Sequence, residues 1–330
     1  MKAFLCKEFG PVDSHKVEEI EDPVAGPGQV VVDIKATGIS FPDVLIVQGL
    51  YQFKPPFPFS PGSEISGIVS SVGEGVTLHK EGDRVMGSIG SGGLREKGVY
   101  SEQQLMPLPE SMDFDTAAGF PLNYGTTYHA FKQRGELQEG QSVLVLGAGG
   151  GLGITAIHIA KAMGAKVIAA ASSQEKIDLC KKEGADEGII YERDMDRDLQ
   201  KKFSDQIKEV TGGGVDMIYD LVGGDYAEPA LRAIARHGKY LVIGFTAGIP
   251  KMPLNLTLLK ECQIVGVFWG QFAGLDHEEN AQNFKELFDL HAQGKIRPFV
   301  TETYSLEESA KAIKTLEDRK VLGKVVVSME

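Results

Sequence analysis

The chain has 330 residues, enough for two domains with substantial cores. Hydrophobic residues make up 42% and charged residues 24%, both ordinary for a globular protein. Acidic residues outnumber basic ones by 46 to 34, and the net charge of −12 disfavours a nucleic acid or an anionic membrane as partner, because both are bound through basic surface.

The chain opens Met1-Lys2-Ala3-Phe4, with no secretory segment and no apolar run of membrane-spanning length. A soluble cytoplasmic protein is expected, with a mature organellar form as the alternative. Cys6, Cys180 and Cys262 are far apart and odd in number, which argues against a disulfide framework and against a C-x-x-C metal or redox site.

Up to about residue 118 the pattern is one of short strands punctuated by Gly and Pro. Val17 to Ile20, Gln29 to Ala36, Ile65 to Val72 and Gly82 to Met86 are the candidates, and they predict a mostly β domain. The proline-rich run from Pro55 to Gly62 predicts an ordered loop, since proline fixes φ. From Phe114 the texture changes. Helices are expected over Thr116 to Phe120 and Gly125 to Gln133, then a strand from Ser142. Strands over Glu187 to Tyr191, Val215 to Leu221, Lys239 to Phe245 and Gln263 to Phe268 follow. They alternate with helices over Gln174 to Lys182, Asp196 to Val210, Tyr226 to Ala235 and Leu256 to Lys260. That alternation predicts a doubly wound parallel sheet, so the fold class is α/β. The tail predicts a helix over Ala281 to Gln293, a strand over Phe299 to Tyr304, a helix opened by the Ser305/Glu308 capping box, and a last strand from Gly323.

Ser142 to Ser173 organises the whole. Val143 to Leu146 reads as a buried strand, Gly147-Ala148-Gly149-Gly150-Gly151-Leu152-Gly153 as a turn, Ile154 to Ala165 as a helix, and Val167 to Ala171 as the next strand. Ala148, Gly150 and Gly153 fit a dinucleotide fingerprint with Ala in first place. Gly150 admits a close pyrophosphate, Gly153 lets helix pack on strand, and the free N–H groups from Gly151 and Leu152 onward face the phosphates. Where NAD enzymes place an acid at the end of the second strand, this chain has Ser172 and Ser173, with Lys176 behind them. No carboxylate is there to repel a 2′-phosphate and a lysine is near enough to pair with one, so NADPH is the expected cofactor. The same serines also suit a helix cap.

The motifs Thr37-Gly38-Ile39-Ser40-Phe41-Pro42-Asp43, Gly49-Leu50-Tyr51, Pro61-Gly62-Ser63-Glu64, Gly82-Asp83-Arg84-Val85, the glycine turn, Asp220-Leu221-Val222-Gly223-Gly224 and Gly323-Lys324 together resemble the zinc-independent medium-chain dehydrogenase/reductases of the quinone oxidoreductase group. The resemblance covers essentially the whole chain. It implies a GroES-like catalytic domain over residues 1–120, a Rossmann domain over 121–268, and a return to the catalytic domain over 269–330. A homodimer paired through the strand at Gln263 to Phe268 is also implied. The zinc-dependent branch has Cys where this chain has Ser40, and His where it has Ser63. Hydroxyls are poor zinc ligands, so no catalytic zinc is expected.

Without a Lewis acid, the hydride must go to an activated acceptor, a quinone or another α,β-unsaturated carbonyl. Tyr51 matches the proton donor of related 2-enoyl thioester reductases, or else lines the cleft as an aromatic wall. Ser40 stands where many relatives have Asn, and reads either as a hydrogen-bonding group for substrate or nicotinamide ribose or as a turn hydroxyl. Thr126 matches a position near the nicotinamide, and Tyr191 one beside the 2′-phosphate. Phe245, Phe268 and Trp269 follow strands at the end where ligands bind, and Trp269 reads equally as dimer-interface core. An enoyl thioester reductase and a non-catalytic, crystallin-like NADPH binder are the alternative functions.

Overall fold

The computed structural model describes residues 1–318 and 321–329. It divides into two compact units, Met1–Leu122 with Pro298–Glu330, and Asn123–Arg297. The first unit begins with β1 (Lys2–Leu5), β2 (Lys16–Glu19), β3 (Gln29–Ile39), α1 (Phe41–Val47), β4 (Glu64–Val72), β5 (Arg84–Ser88), β6 (Lys97–Ser101), β7 (Leu105–Pro107) and α2 (Phe114–Ala118). α3 (Pro121–His129) carries the chain over the boundary. The second unit continues through β8 (Ser142–Leu146), α4 (Gly151–Ala162), β9 (Lys166–Ala171), α5 (Gln174–Lys182), β10 (Glu187–Ile190), α6 (Arg197–Thr211), β11 (Val215–Asp220), α7 (Ala227–Arg232), β12 (Ile234–Val242), α8 (Asn255–Lys260), β13 (Gln263–Gly266), α9 (Trp269–Leu275) and α10 (His277–Ala292). The chain then returns to the first unit as β14 (Val300–Ser305), α11 (Ser309–Glu317) and β15 (Lys324–Ser328).

Among the described residues of the second unit, six strands form one parallel sheet in the order β10-β9-β8-β11-β12-β13. This is the doubly wound order, with the chain reversing direction of travel between β8 and β11. β8 and β9 are apolar along their length because both faces are covered, and Val143, Leu144, Val145 and Leu146 are all buried. The helix expected up to Ala235 stops at Arg232, and β12 starts at Ile234. A register shift between Val215 and Met217, with His237 at φ 64° on the opposite strand, bulges β12 before the apolar run at Tyr240. The bulge hides the first half of the strand from a periodicity argument.

The first unit holds a seven-stranded sheet among its described residues, β14-β15-β3-β4-β5-β7 with β6 also on β3. Val30, Val32 and Ile34 of β3 pack with Ile65, Val69 and Val85 in one core. β1, α1, β6, β7 and α9 were not among the expected elements. α1 was obscured by Pro42, which sits in its first turn, where proline costs no helical hydrogen bond.

The second unit runs to Arg297, past the boundary expected at 268. α9 and α10 stay with it for a packing reason. The Trp269 indole lies against Gly125, and its Nε1–H donates to Asn280 at 3.0 Å. Glu286 on α10 accepts from Tyr128 and Lys132, each at 2.6 Å.

Candidate cofactor and active site

In the second unit the glycine turn follows β8 directly. Gly147 takes φ 78°, a left-handed conformation, and its N–H and that of Ala148 both donate to the Ala170 carbonyl at 3.0 Å. Gly150 caps α4 and is followed by Gly151, Leu152 and Gly153 in its first turn, where N–H groups have no helical partner. A Cβ added to Gly153 would lie 2.5 Å from the Ala148 carbonyl oxygen, so helix and turn meet there with no room for a side chain. At Gly150 the corresponding space is open, with Gly147 O at 3.9 Å the nearest atom. Lys176 lies along the same turn: its Cβ, Cγ and Cδ are within 2.8–2.9 Å of where a Gly149 Cβ would sit. Ser173 is the N-cap of α5, its Oγ accepting from Lys176 N at 3.3 Å, and Ser172 precedes it. The cap reading of Ser173 is what the structure shows, and a capping serine still has a hydroxyl to donate.

Tyr191 directly follows β10 and packs on Phe203 and Tyr226, with ring centroids 5.9 and 4.7 Å away. Thr126 is half-buried on α3. Phe245 and Phe268 are exposed beyond the ends of β12 and β13, whereas Trp269 is only 5% exposed and serves the core beside Gly125. Asp220 pins its own loop. Its carboxylate accepts from Val222 N, Gly223 N and Tyr240 OH at 2.8, 2.9 and 2.6 Å.

In the first unit, Ser40 and Tyr51 flank a buried polar cluster. β15 pairs antiparallel with β3, Val325 opposite Ile39, which sets Lys324 beside Ser40. β4 pairs on the other side of β3, with Glu64 opposite Gly38. Lys324 Nζ donates to Ser40 Oγ at 2.6 Å and forms a closer ion pair with Glu64. Ser40 Oγ donates in turn to Glu64 Oε1 at 3.1 Å, and Glu64 Oε2 accepts from Leu122 N at 2.9 Å. The lysine chain runs through a slot that two glycines keep open. Cβ atoms at Gly38 and Gly119 would lie 3.1 and 3.0 Å from Lys324 Cε and Cγ.

Asp43 is fully buried beside this pair. It accepts from Ser40 N, Gly62 N and Ser63 Oγ at 2.9, 3.0 and 3.3 Å. Burial pushes its carboxyl up to about 6, against the pull of those donors and of Lys324. Tyr51 is half-buried. Burial first, and then the Asp43 charge, raise its phenol above the usual range, so it keeps its proton through neutral pH. Lys324, Glu64 and Asp43 went unassigned at the sequence level. Their motifs were visible, but only strand pairing joins a residue near the C-terminus to one near position 40.

Residues 26–110 match the alcohol dehydrogenase GroES-like domain family, and residues 151–292 match the zinc-binding dehydrogenase family. The Bos taurus quinone oxidoreductase-like protein 2 is 36% identical over 332 residues, spanning 100% of this chain and 93% of that protein. The chain belongs to the quinone oxidoreductase family of medium-chain dehydrogenase/reductases. The Rattus norvegicus quinone oxidoreductase is 32% identical over 94% of the chain and 92% of that protein. The Escherichia coli quinone oxidoreductase complexed with NADPH superposes with a TM-score of 0.91 and 28% identity, over 99% of this chain and 100% of that one. The family carries the α/β fold described here, a doubly wound domain joined to a GroES-like, mostly β one.

The zinc in the matched family's description does not fit these residues. Ser40 and Ser63 offer hydroxyls in place of a thiolate and an imidazole, and the carboxylate of Glu64 is already held by the Lys324 ammonium. Among the described residues no three His, Cys, Asp or Glu side chains cluster as metal ligands. A nicotinamide dinucleotide does fit the glycine turn, whose face is open at Gly150. Among the described residues no helix is long and apolar enough to cross a membrane.

Proposed function

We propose that the protein is an NADPH-dependent oxidoreductase that delivers a hydride to quinones or other α,β-unsaturated carbonyls without a metal. The observation that carries this reading is the phosphate turn, open at Gly150 and bordered by Lys176. Bound NADPH supplies the hydride. The N–H groups of Gly151, Leu152 and Gly153 hold the pyrophosphate, with the α4 dipole behind them and Gly150 leaving room for it. Lys176, Ser172, Ser173 and Tyr191 take the 2′-phosphate, which a carboxylate at the strand end would repel. Thr126, Phe245 and Phe268 border the nicotinamide, and Trp269 packs against Gly125, the residue before Thr126. Ser40 hydrogen-bonds the acceptor.

Tyr51 favours a second reading, an enoyl thioester reductase. Its hydroxyl is held protonated next to Asp43, as a donor to the α-carbon must be. A homodimer fits β13, which among the described residues ends the sheet with one edge unpaired, near the exposed Leu254, Leu258, Leu259 and Phe268. Sedimentation at a few concentrations checks it.

The test is NADPH consumption by purified protein with a naphthoquinone and a short enoyl-CoA side by side. Turnover of the quinone alone supports the first reading, and preference for the enoyl-CoA the second. NADPH binding with neither acceptor reduced would overturn both in favour of a non-catalytic binder.

A further inference from the structure

A hydroxyl has one hydrogen to give and two lone pairs to accept with. At Ser40 one lone pair is taken by Lys324 Nζ at 2.6 Å, and the hydrogen goes to Glu64 Oε1 at 3.1 Å. The two bonds differ in what holds them. An ammonium has no lone pair and can only donate, so the direction of the first is fixed. The second can be given up, because Glu64 keeps Lys324 on Oε1 and Leu122 N on Oε2. Ser40 is also where the cluster can meet a ligand, being 7% exposed where Glu64 and Asp43 are wholly buried. The oxygens of Asp43 are turned to Ser40 N, Gly62 N and Ser63 Oγ. A lysine needed only to neutralise Glu64 would make the ion pair alone, whereas this nitrogen reaches Ser40 as well.

We propose that Lys324 is a positioning residue for the acceptor, acting through Ser40: its ammonium polarises the Ser40 hydroxyl, whose hydrogen turns from Glu64 to a carbonyl oxygen that is gaining negative charge. This deepens the oxidoreductase reading above and rests on it for the identity of the acceptor. As the acceptor takes the hydride of NADPH, leaving NADP+, the electron pair ends on its carbonyl oxygen, and water later supplies the proton. A hydroxyl that accepts a charge-assisted bond gives a stronger one in turn. Such a donor contributes most where charge develops out of contact with water. The slot left by Gly38 and Gly119 leads the lysine chain to this place.

The probe is para-nitrophenol, a planar ring whose single hydroxyl ionises near neutral pH and changes its absorbance when it does. Titrated against the protein with NADP+ present, it gives the affinity and the phenolate fraction of the bound form without any turnover. Ser40→Ala should weaken phenolate binding about tenfold, and Lys324→Met with Glu64→Gln, which removes both charges together, about fivefold. Added to Ser40→Ala, the same pair of changes should cost nothing further. Equal phenolate binding by wild type and Ser40→Ala would overturn the proposal. So would a loss from the pair that persists without the Ser40 hydroxyl, which is the mark of a merely structural role. If the paired variant does not fold, Glu64→Gln alone decides. Lys324 then still has Ser40 and the amide oxygen to bond, and with the opposing charge gone phenolate binding should rise, so a fall or no change overturns the proposal. NADPH consumption judges the functional reading separately. Phenolate held through Ser40 by a protein that reduces neither acceptor would sink that reading and leave the role of Lys324 standing. Failure of the phenol to bind wild type would overturn that role whatever the reduction assay gives.

Discussion

The two units build their polar sites in opposite ways. In the second, the glycine turn, Ser172, Ser173 and Lys176 come from one continuous strand–helix–strand–helix stretch, and local geometry does most of the placement. In the first, the buried cluster joins Ser40 to Lys324, 284 positions apart, and depends on two strand pairings. A locally built site survives small shifts elsewhere, because its residues move together. A site assembled across a sheet depends on the whole fold, and it carries the penalty of buried charge if one member is lost.

The sharpest break in that comparison is Lys324→Met. It leaves Glu64 buried without its cation, and removing one partner of a buried pair costs about 3–5 kcal/mol. Urea denaturation should show that loss, and adding Glu64→Gln should recover most of it. If Lys324→Met alone unfolds at the wild-type midpoint, the pair is not part of what holds the first unit together.

Asp43 gives the next effect. Its folded-state pKa stands above the unfolded value, so the fold holds this proton better than the unfolded chain does. The resulting burden on stability is present above about pH 6 and is relieved as pH falls toward 3.8. A rise from 3.8 to about 6 corresponds to about 3 kcal/mol. Relative to Asp43→Asn, wild type should therefore gain stability between about pH 7 and about pH 4. A constant difference between the two proteins would contradict the assignment.

Tyr51→Phe separates the two chemistries. Loss of a positioned proton donor costs on the order of a hundredfold or more in rate. Enoyl thioester reduction should fall by that factor while quinone reduction holds. Equal activity of both proteins on the thioester would remove Tyr51 from the mechanism. The smallest effect belongs to the local site. Lys176→Ala should raise the Michaelis constant for NADPH about tenfold, in line with one charge-assisted contact, and leave that for NADH nearly unchanged. Equal changes for both cofactors would count against a 2′-phosphate contact.

What was legible follows the same division. The strand at Ser142, the glycine turn and α5 could be read closely, since their signals are contiguous and periodic. α1 was missed because proline in the first turn looks like a break, and the early part of β12 because a bulge interrupts its pattern. His158 reads as an ordinary packed residue in sequence. It gains Tyr124 and Glu183 as partners only when three helices pack around it. Trp269 follows a strand in sequence and so suggested the cofactor, but its indole is held in the core by Asn280 and Gly125.

The amino-acid sequence by itself determined the alternation of strand and helix, the glycine turn with its lysine and serines, and membership of an oxidoreductase family. These depend on interactions within a few residues or on a single strand–helix unit, so the order of residues is enough to specify them. Only the tertiary structure decided that Lys324 pairs with Glu64 beside Ser40, that Asp43 is buried with them, and that α9 and α10 stay with the second unit. Each of these is a contact between segments far apart in the chain. Strand register and side-chain burial select such contacts, and neither exists until the sheets have formed.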